Sequence, residues 1–376
     1  MEAPECCCQE VPRAMEENIL ENLQSLQFEK GIREEERPLL FLLGRFRGLM
    51  LQACAHAVFF CKFLSALRQT PGNGPVSLLP SQEACSKETP LREPLKVGII
   101  GGGHLGKQLA KVMLQTACIP AWSIQVSTRR PETLRDLQNL GIVCFYGNCQ
   151  LVDWADVVFL CCLPSQLPHI CLEIHSRLRE SSIVYSLVTA VSLSRLKQLL
   201  SHPTILRPQY QCAGKCVDVW GAKKKITAAL QDPAIVKATC PFSPGGGITI
   251  NIKWLEAVFY AALNTCTSQG MPHPQALELL NNLCLPELLL PCQENKIDCP
   301  QFQVTHFVNK SFAQSMTSKD TFPWFNLTMV QLKETPFSQH LTACAALRDH
   351  LATLYCESFG LSLPEREEGQ PAASSG

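Results

Sequence analysis

Neither sign of charge is in excess: 33 Lys and Arg face 33 Asp and Glu over 376 residues. Without a net field there is no electrostatic case for nucleic acid or an anionic membrane surface as partner. Pairs spaced Cys-x-x-Cys are also missing, although the chain has 21 cysteines, which argues against zinc ribbons and thioredoxin-type redox sites. The thiols stand singly or, as at Cys161 and Cys162, within an apolar run, where free cysteine behaves as a small hydrophobe. That usage suits a reducing compartment. The expected residence is cytoplasmic, with the mitochondrion as the alternative. No unbroken apolar run reaches ~18 residues, so no membrane span is expected. Glu2 and Glu5 stand where a secretory signal would carry basic residues.

What is present begins at residue 95. A short apolar run, Val97 to Ile100, leads into Gly-x-Gly-x-x-Gly, formed by Gly101, Gly103 and Gly106, and then into a helical pattern. Gly101 permits a tight turn off the strand. Gly103 lacks the Cβ that would hold a pyrophosphate away from the backbone, and Gly106 lets the helix lie close on the sheet. The first N–H groups of that helix, with its dipole behind them, then face the phosphates, and His104 and Leu105 complete the loop. A glycine fingerprint between strand and helix is a far stronger signal than the same glycines alone.

Strands and helices alternate from there to Leu206. Strands are expected at 122–127, 142–145, 156–162, 182–187 and 204–206, with helices at 131–140, 167–178 and 193–200. This is the pattern of a doubly wound parallel sheet, an α/β Rossmann-type fold. After Arg207 the strand rhythm stops. A long helix over 250–269 ends at Gly270 with Pro272 beyond it, and 332–359 reads as further helix. The expected organisation is a helical N-terminal region over 1–70, a Pro-rich linker over 71–94 and a dinucleotide domain over 95–208. A helical substrate and dimerisation domain over 209–360 and a disordered tail over 361–376 complete it. In the N-terminal region Ile19, Leu23 and Leu26 share a helix face, and 38–67 forms a long apolar-rich segment that packs as an appended helical pair or on a partner. A small-molecule substrate is expected in the cleft between the two larger domains.

The second strand ends in Ser127, Thr128, Arg129 and Arg130, with no carboxylate to hold a ribose 2′-hydroxyl. Hydroxyls and guanidinium groups suit a 2′-phosphate, so NADP(H) is the expected cofactor.

With these residues in place, the chain resembles the pyrroline-5-carboxylate reductase family. The glycine loop is followed by Asn148, Val152, Ala155 and Asp156 at the family's spacing, and the resemblance implies that Asn148 meets the adenosine end of the cofactor. Cys162, Leu163 and Pro164 match the family's loop beside the cofactor, with Leu163 where lysine is usual. The substrate half departs further. Arg207 is kept, but Pro208 to Cys212 replaces a Met-Pro-Asn-Thr run. The family's Pro-Gly-Gly turn, which cradles a carboxylate, has two competing counterparts: Ser243 to Gly247, which looks right locally, and Pro323-Trp324-Phe325, which stands at the right point in the chain order. The second implies Thr328 as the contact to an imine nitrogen. The resemblance thus implies hydride transfer from NADPH to the C=N carbon of a cyclic imine or imino acid, in a homodimer joined through its C-terminal helices. No histidine has a recognisable nucleophile or carboxylate partner, so the chemistry falls to the cofactor. The competing reading is a catalytically idle NADP-binding sensor or scaffold.

Overall fold

The structure, a computed structural model, describes residues 32–68, 78, 93–213, 218–220, 224–243, 245–286 and 300–361. The expected face of Ile19, Leu23 and Leu26, most of the 71–94 linker and the tail beyond Leu361 lie outside those residues. The chain divides after Leu43. The first unit contributes a short 3-10 turn, Glu34–Leu39, and the opening residues of helix α1, Phe41–Arg68. The described residues from Gly44 onward form a second compact unit.

That second unit is built on six strands: β1 Val97–Ile100, β2 Ile124–Ser127, β3 Val143–Phe145, β4 Val157–Leu160, β5 Ile183–Ser186 and β6 Ile205–Leu206. They pair in the order β3-β2-β1-β4-β5-β6, and every pairing is parallel. The order reverses at β1, with β2 on one side and β4 on the other, and this switch point opens a crevice at the carboxyl ends of the strands. The expected α/β fold is therefore present, in the order that defines a Rossmann sheet.

Period two explains how the sheet is covered. Val157 and Phe159 of β4, with Ile99 and Tyr185, enter the larger core. Val158 and Leu160, with Ile100 and Val184, point the other way into a smaller core. Helices α2 His104–Gln115, α3 Arg135–Gln138, α4 Asn148–Trp154, α5 Leu167–Ile174 and α6 Leu193–Leu200 supply the crossovers. A strand buried on both faces must read as an unbroken apolar run, as β4 does. The expected helix over 131–140 is split into a 3-10 turn, Pro131–Leu134, and the single turn α3.

Helix α1 is where sequence and structure part. Residues 50–64 are buried without interruption, so no face of this stretch meets water. Phe60 packs on Tyr185 of the sheet at 5.3 Å, while Phe63 meets Phe259 at 5.0 Å and Phe59 meets Tyr355 at 5.1 Å. Among the described helices it alone is long and apolar enough to cross a membrane, with a window of mean hydropathy 1.5, but 89% of that window is buried in protein. A helix apolar all round belongs in a core or a bilayer, and here its partners are protein. From Gly44 on it is a central element of the second unit, not an appendage.

The remaining described helices are α7 Ile226–Ala229, α8 Pro233–Thr239, α9 Lys253–Ser268, α10 His273–Cys284, α11 Lys310–Ser315, α12 Leu327–Leu332, α13 Pro336–Ala343 and α14 Ala345–Glu357. The single helix expected over 332–359 is thus interrupted. Pro336 opens α13 behind a Thr335–Ser338 capping box, because proline is tolerated at a first turn and not in a helix interior. Two short strands also escaped the sequence. β7 Tyr210–Cys212 pairs antiparallel with β8 Ile248–Ile250 across a long intervening segment.

Candidate functional site

The carboxyl ends of β2, β1, β4, β5 and β6 border one cavity of about 1370 Å³. At its centre lies the glycine loop. Gly101 holds φ +111°, and a Cβ there would come within 2.7 Å of the Cys161 carbonyl, so this residue joins the β1 turn to the loop after β4. Its N–H donates to the Ser127 carbonyl at 2.9 Å. A Cβ on Gly106 would lie 1.9 Å from the Gly101 carbonyl oxygen. Gly106 is therefore needed for the close seating of α2 on its own turn. A Cβ on Gly103 would touch nothing within 4 Å. It would project into free space at the N-terminus of α2, where Gly103 is the N-cap and supplies no side chain. The amides at that end are left for an anion. Gly102, not singled out in the sequence, is also constrained, since a Cβ would meet Leu134 at 2.9 Å and Thr128 at 3.0 Å.

Toward β2 the walls are Ser127, Thr128, Arg129 and Arg130, joined by Thr133. Both arginines are exposed. Asn148, at the start of α4, is gripped from two sides. Its Oδ1 accepts from the Ser127 hydroxyl and its Nδ2 donates to Glu173, each at 2.7 Å. These bonds orient the amide at the cavity wall. His104 stacks on Phe46 of α1, with ring centroids 6.4 Å apart; both line the cavity, as does Leu105. Toward β4 the wall is Cys161, Cys162 and an exposed Leu163. Burial pushes the Cys162 thiol up to about 11 and Cys161 well above its usual range, so neither is a thiolate nucleophile. Of the residues expected to surround a cofactor, Gly106 and Pro164 do not line the cavity: Gly106 is buried under the turn, and Pro164 belongs to the exposed turn beyond it.

The far end was largely unread in the sequence. Leu187 and Thr189 follow β5, Arg207 follows β6, and Tyr210 to Cys212 are β7 itself. Leu49, Met50 and Ala53 of α1 line the same cavity. The only signal that could have placed them was the all-round apolarity of α1, which speaks for burial but not for address. Arg207 donates through Nη2 to the Thr189 carbonyl, and its backbone N–H donates to Gln331 Oε1 at 3.0 Å. Its Nε is buried without a hydrogen-bond partner, and burial lowers its pKa. Tyr210 is committed inward. His56 Nε2 lies 2.9 Å from the Thr239 carbonyl, which can only accept, so that nitrogen bears the proton. Nδ1 then accepts from the Tyr210 hydroxyl at 3.1 Å. Full burial drives His56 down to about 3.

Neither expected carboxylate cradle lines this cavity. In the Ser243–Gly247 stretch, Gly246 holds φ +72° and its carbonyl accepts from Trp220 Nε1 at 3.0 Å; a Cβ there would strike the Trp220 ring at 2.3 Å. The described residues of this stretch form a packed turn leading into β8. Near Trp324, the Phe325 backbone exchanges two hydrogen bonds with the Asn264 side chain, at 2.7 and 2.8 Å, which ties this segment to α9. Thr328, expected to contact an imine, is fully buried and donates to the Pro203 carbonyl at 3.2 Å. It packs α12 against the segment leading into β6 and does not line the cavity. Among the described residues no cluster of three or more metal-ligating side chains occurs.

Residues 96–189 match the family described as NADP oxidoreductase, coenzyme F420-dependent. Over 349 residues the chain is 51% identical to NADP-dependent oxidoreductase domain-containing protein 1 of Mus musculus, covering 93% of this chain and 95% of that protein. A pyrroline-5-carboxylate reductase of Corynebacterium melassecola is 30% identical over 109 residues, 28% of this chain and 40% of its own. Among solved structures, a pyrroline-5-carboxylate reductase from Coxiella burnetii aligns with TM-score 0.30 at 21% identity, over 50% of this chain and 75% of that one.

Proposed function

Because this chain belongs to the family of NADP-dependent oxidoreductase domain-containing protein 1, we propose that its cleft binds NADP(H) and serves hydride transfer to a small organic substrate carrying a C=N bond. The observation that carries the reading is the open Cβ position of Gly103 at the uncapped start of α2, in the middle of a cavity bordered by five parallel strand ends. Those ends run from β2 to β6 in four strand steps, about 19 Å at ~4.8 Å each. An extended dinucleotide fits such a path and leaves the β6 end for substrate. The α2 amides would hold the pyrophosphate and Arg129 and Arg130 the 2′-phosphate, with Asn148 beside the adenosine. When bound, NADPH supplies the hydride. The chain's own residues orient the reactants and narrow water access. The proton for the imine nitrogen comes from solvent in the cleft, since the Tyr210 hydroxyl is spent on His56.

A cyclic imine or imino acid is the preferred substrate class, and two copies joined through their C-terminal helices the preferred assembly. One observation favours a second reading, an NADP-binding sensor without turnover: the expected imine contact, Thr328, is packed away from the cleft. NADPH consumption with pyrroline-5-carboxylate and a panel of cyclic imines separates the two; NADPH binding with no turnover of any imine overturns the enzyme. In parallel, replacing both Arg129 and Arg130 by alanine lowers the preference for NADPH over NADH by at least about tenfold, the effect of losing one or two charged contacts worth ~1.5–3 kcal/mol each. An unchanged preference removes the 2′-phosphate assignment.

A further inference from the structure

We propose that the β6 end of the cleft is a subsite for an apolar-bodied monoanion, with Arg207 as the residue that binds its carboxylate. The inference rests on the reading of the cleft as an NADP(H) site, and it concerns the end that the dinucleotide leaves free. Three arginines line the cavity. Arg129 and Arg130 stand at the β2 end, and Arg207 stands alone at the β6 end. Among the described residues one carboxylate lines the cavity, Glu173, and it is bonded to Asn148 on the β2 side. Among the described residues no Asp or Glu forms an ion pair with Arg207.

Its guanidinium is nonetheless held in place. Nη2 donates to the Thr189 carbonyl beyond β5, while Gln331 anchors the backbone by accepting from the Arg207 N–H and donating to the Ile205 carbonyl at 2.7 Å. The arginine is thus fixed on one side and unsatisfied on another, since Nε is buried with no hydrogen-bond partner. Nε is closed off from the cavity, so a ligand there meets the guanidinium through its Nη groups, of which only Nη2 has a hydrogen bond among the described residues. A guanidinium offers a planar fork that suits a carboxylate. The same cavity is lined on its apolar side by Leu49, Met50 and Ala53 of α1 and by Leu187. They admit a compact apolar body and provide no second charge, so a dianion or a cationic substrate would leave a charge unpaired against hydrocarbon. Helix α1 therefore acts as a specificity wall, and the anchoring task expected of a glycine turn falls to a side chain.

The test uses the full chain saturated with NADPH, after a separate titration has measured NADPH binding itself. Calorimetric titration then compares cyclopentanecarboxylate with its neutral isostere cyclopentanecarboxamide and with acetate, which keeps the charge and lacks the body. Cyclopentanecarboxylate is expected to bind at least tenfold more tightly than either. In Arg207→Gln the preference for acid over amide collapses to within twofold while NADPH affinity holds, and Arg207→Lys restores part of it. Equal affinity for acid and amide in the unaltered chain, absence of binding by all three probes, or a preference that survives Arg207→Gln overturns the subsite. Absence of NADPH binding in the first titration overturns instead the reading on which it rests.

Discussion

At the scale of single residues, the three fingerprint glycines do three different jobs. Gly103 has backbone angles (φ −73°, ψ −168°) that alanine adopts freely, and a Cβ there meets no atom of the protein. Gly103→Ala is expected to leave stability within about 0.5 kcal/mol and to weaken NADPH binding at least tenfold, because the methyl occupies space reserved for phosphate. Gly106→Ala does the reverse in its cause: its Cβ would sit 1.9 Å from the Gly101 carbonyl oxygen. The turn or helix must shift, at about 3 kcal/mol, and cofactor affinity falls because the loop is displaced. Urea denaturation paired with NADPH titration distinguishes the two. Equal destabilisation by both changes would show that Gly103 serves packing and not approach.

At the scale of elements, α1 carries the larger lesson. Phe60 is completely buried between this helix and Tyr185 of β5, and Phe60→Ala should cost about 3–5 kcal/mol in denaturant unfolding. A loss under 1 kcal/mol would mean that α1 is only loosely docked. The same helix presents Leu49, Met50 and Ala53 to the cleft, so its placement couples core packing to the shape of the cleft. The sequence showed the helix plainly, through thirty residues of apolar-rich pattern. It could not show the destination. Apolarity all round is equally at home in a bilayer, a partner or the chain's own core, and only the contacts with Tyr185, Phe259 and Tyr355 decide among them.

At the scale of the whole molecule, buried and half-buried imidazoles make the fold acid-sensitive. His56 is driven down to about 3 by complete burial and His306 to about 4 by burial and by His340 stacked on it at 3.7 Å; burial lowers His202 and His340 as well. Each is neutral in the fold, while in the unfolded chain histidine takes a proton near pH 6.5. The unfolded state therefore binds more protons between about pH 6.5 and 3, and stability falls as pH falls through that window. The contribution is complete above about pH 6.5. By pH 5, His56 alone should remove on the order of 2 kcal/mol, at 1.36 kcal/mol per unit of the 1.5-unit interval. Unfolding free energies at pH 7.5, 6.5 and 5.5 should show this slope, and it should flatten in His56→Gln even though that variant is less stable throughout. A flat profile in the unaltered chain would contradict the buried neutral state.

Local chemistry was enough to read the cofactor half. Glycines that turn or approach, strands buried on both faces and a strand end with arginines and no carboxylate all act over a few residues, and the observed β1 to β6 follow that reading in order. The substrate half depends on long-range packing. Thr328 and the two glycine-turn counterparts were site residues only by the family resemblance, and hydrogen bonds to Pro203, Trp220 and Asn264 make them packing elements. Arg207 meets Leu49, Met50 and Ala53 around one cavity although about 155 positions separate them in the chain. No spacing rule spans such a distance. The sequence by itself determined the doubly wound sheet and its phosphate loop, since both follow from residue period and backbone freedom. Tertiary structure alone decided what faces the reacting end, because that depends on which of several equally apolar surfaces the folded chain brings together.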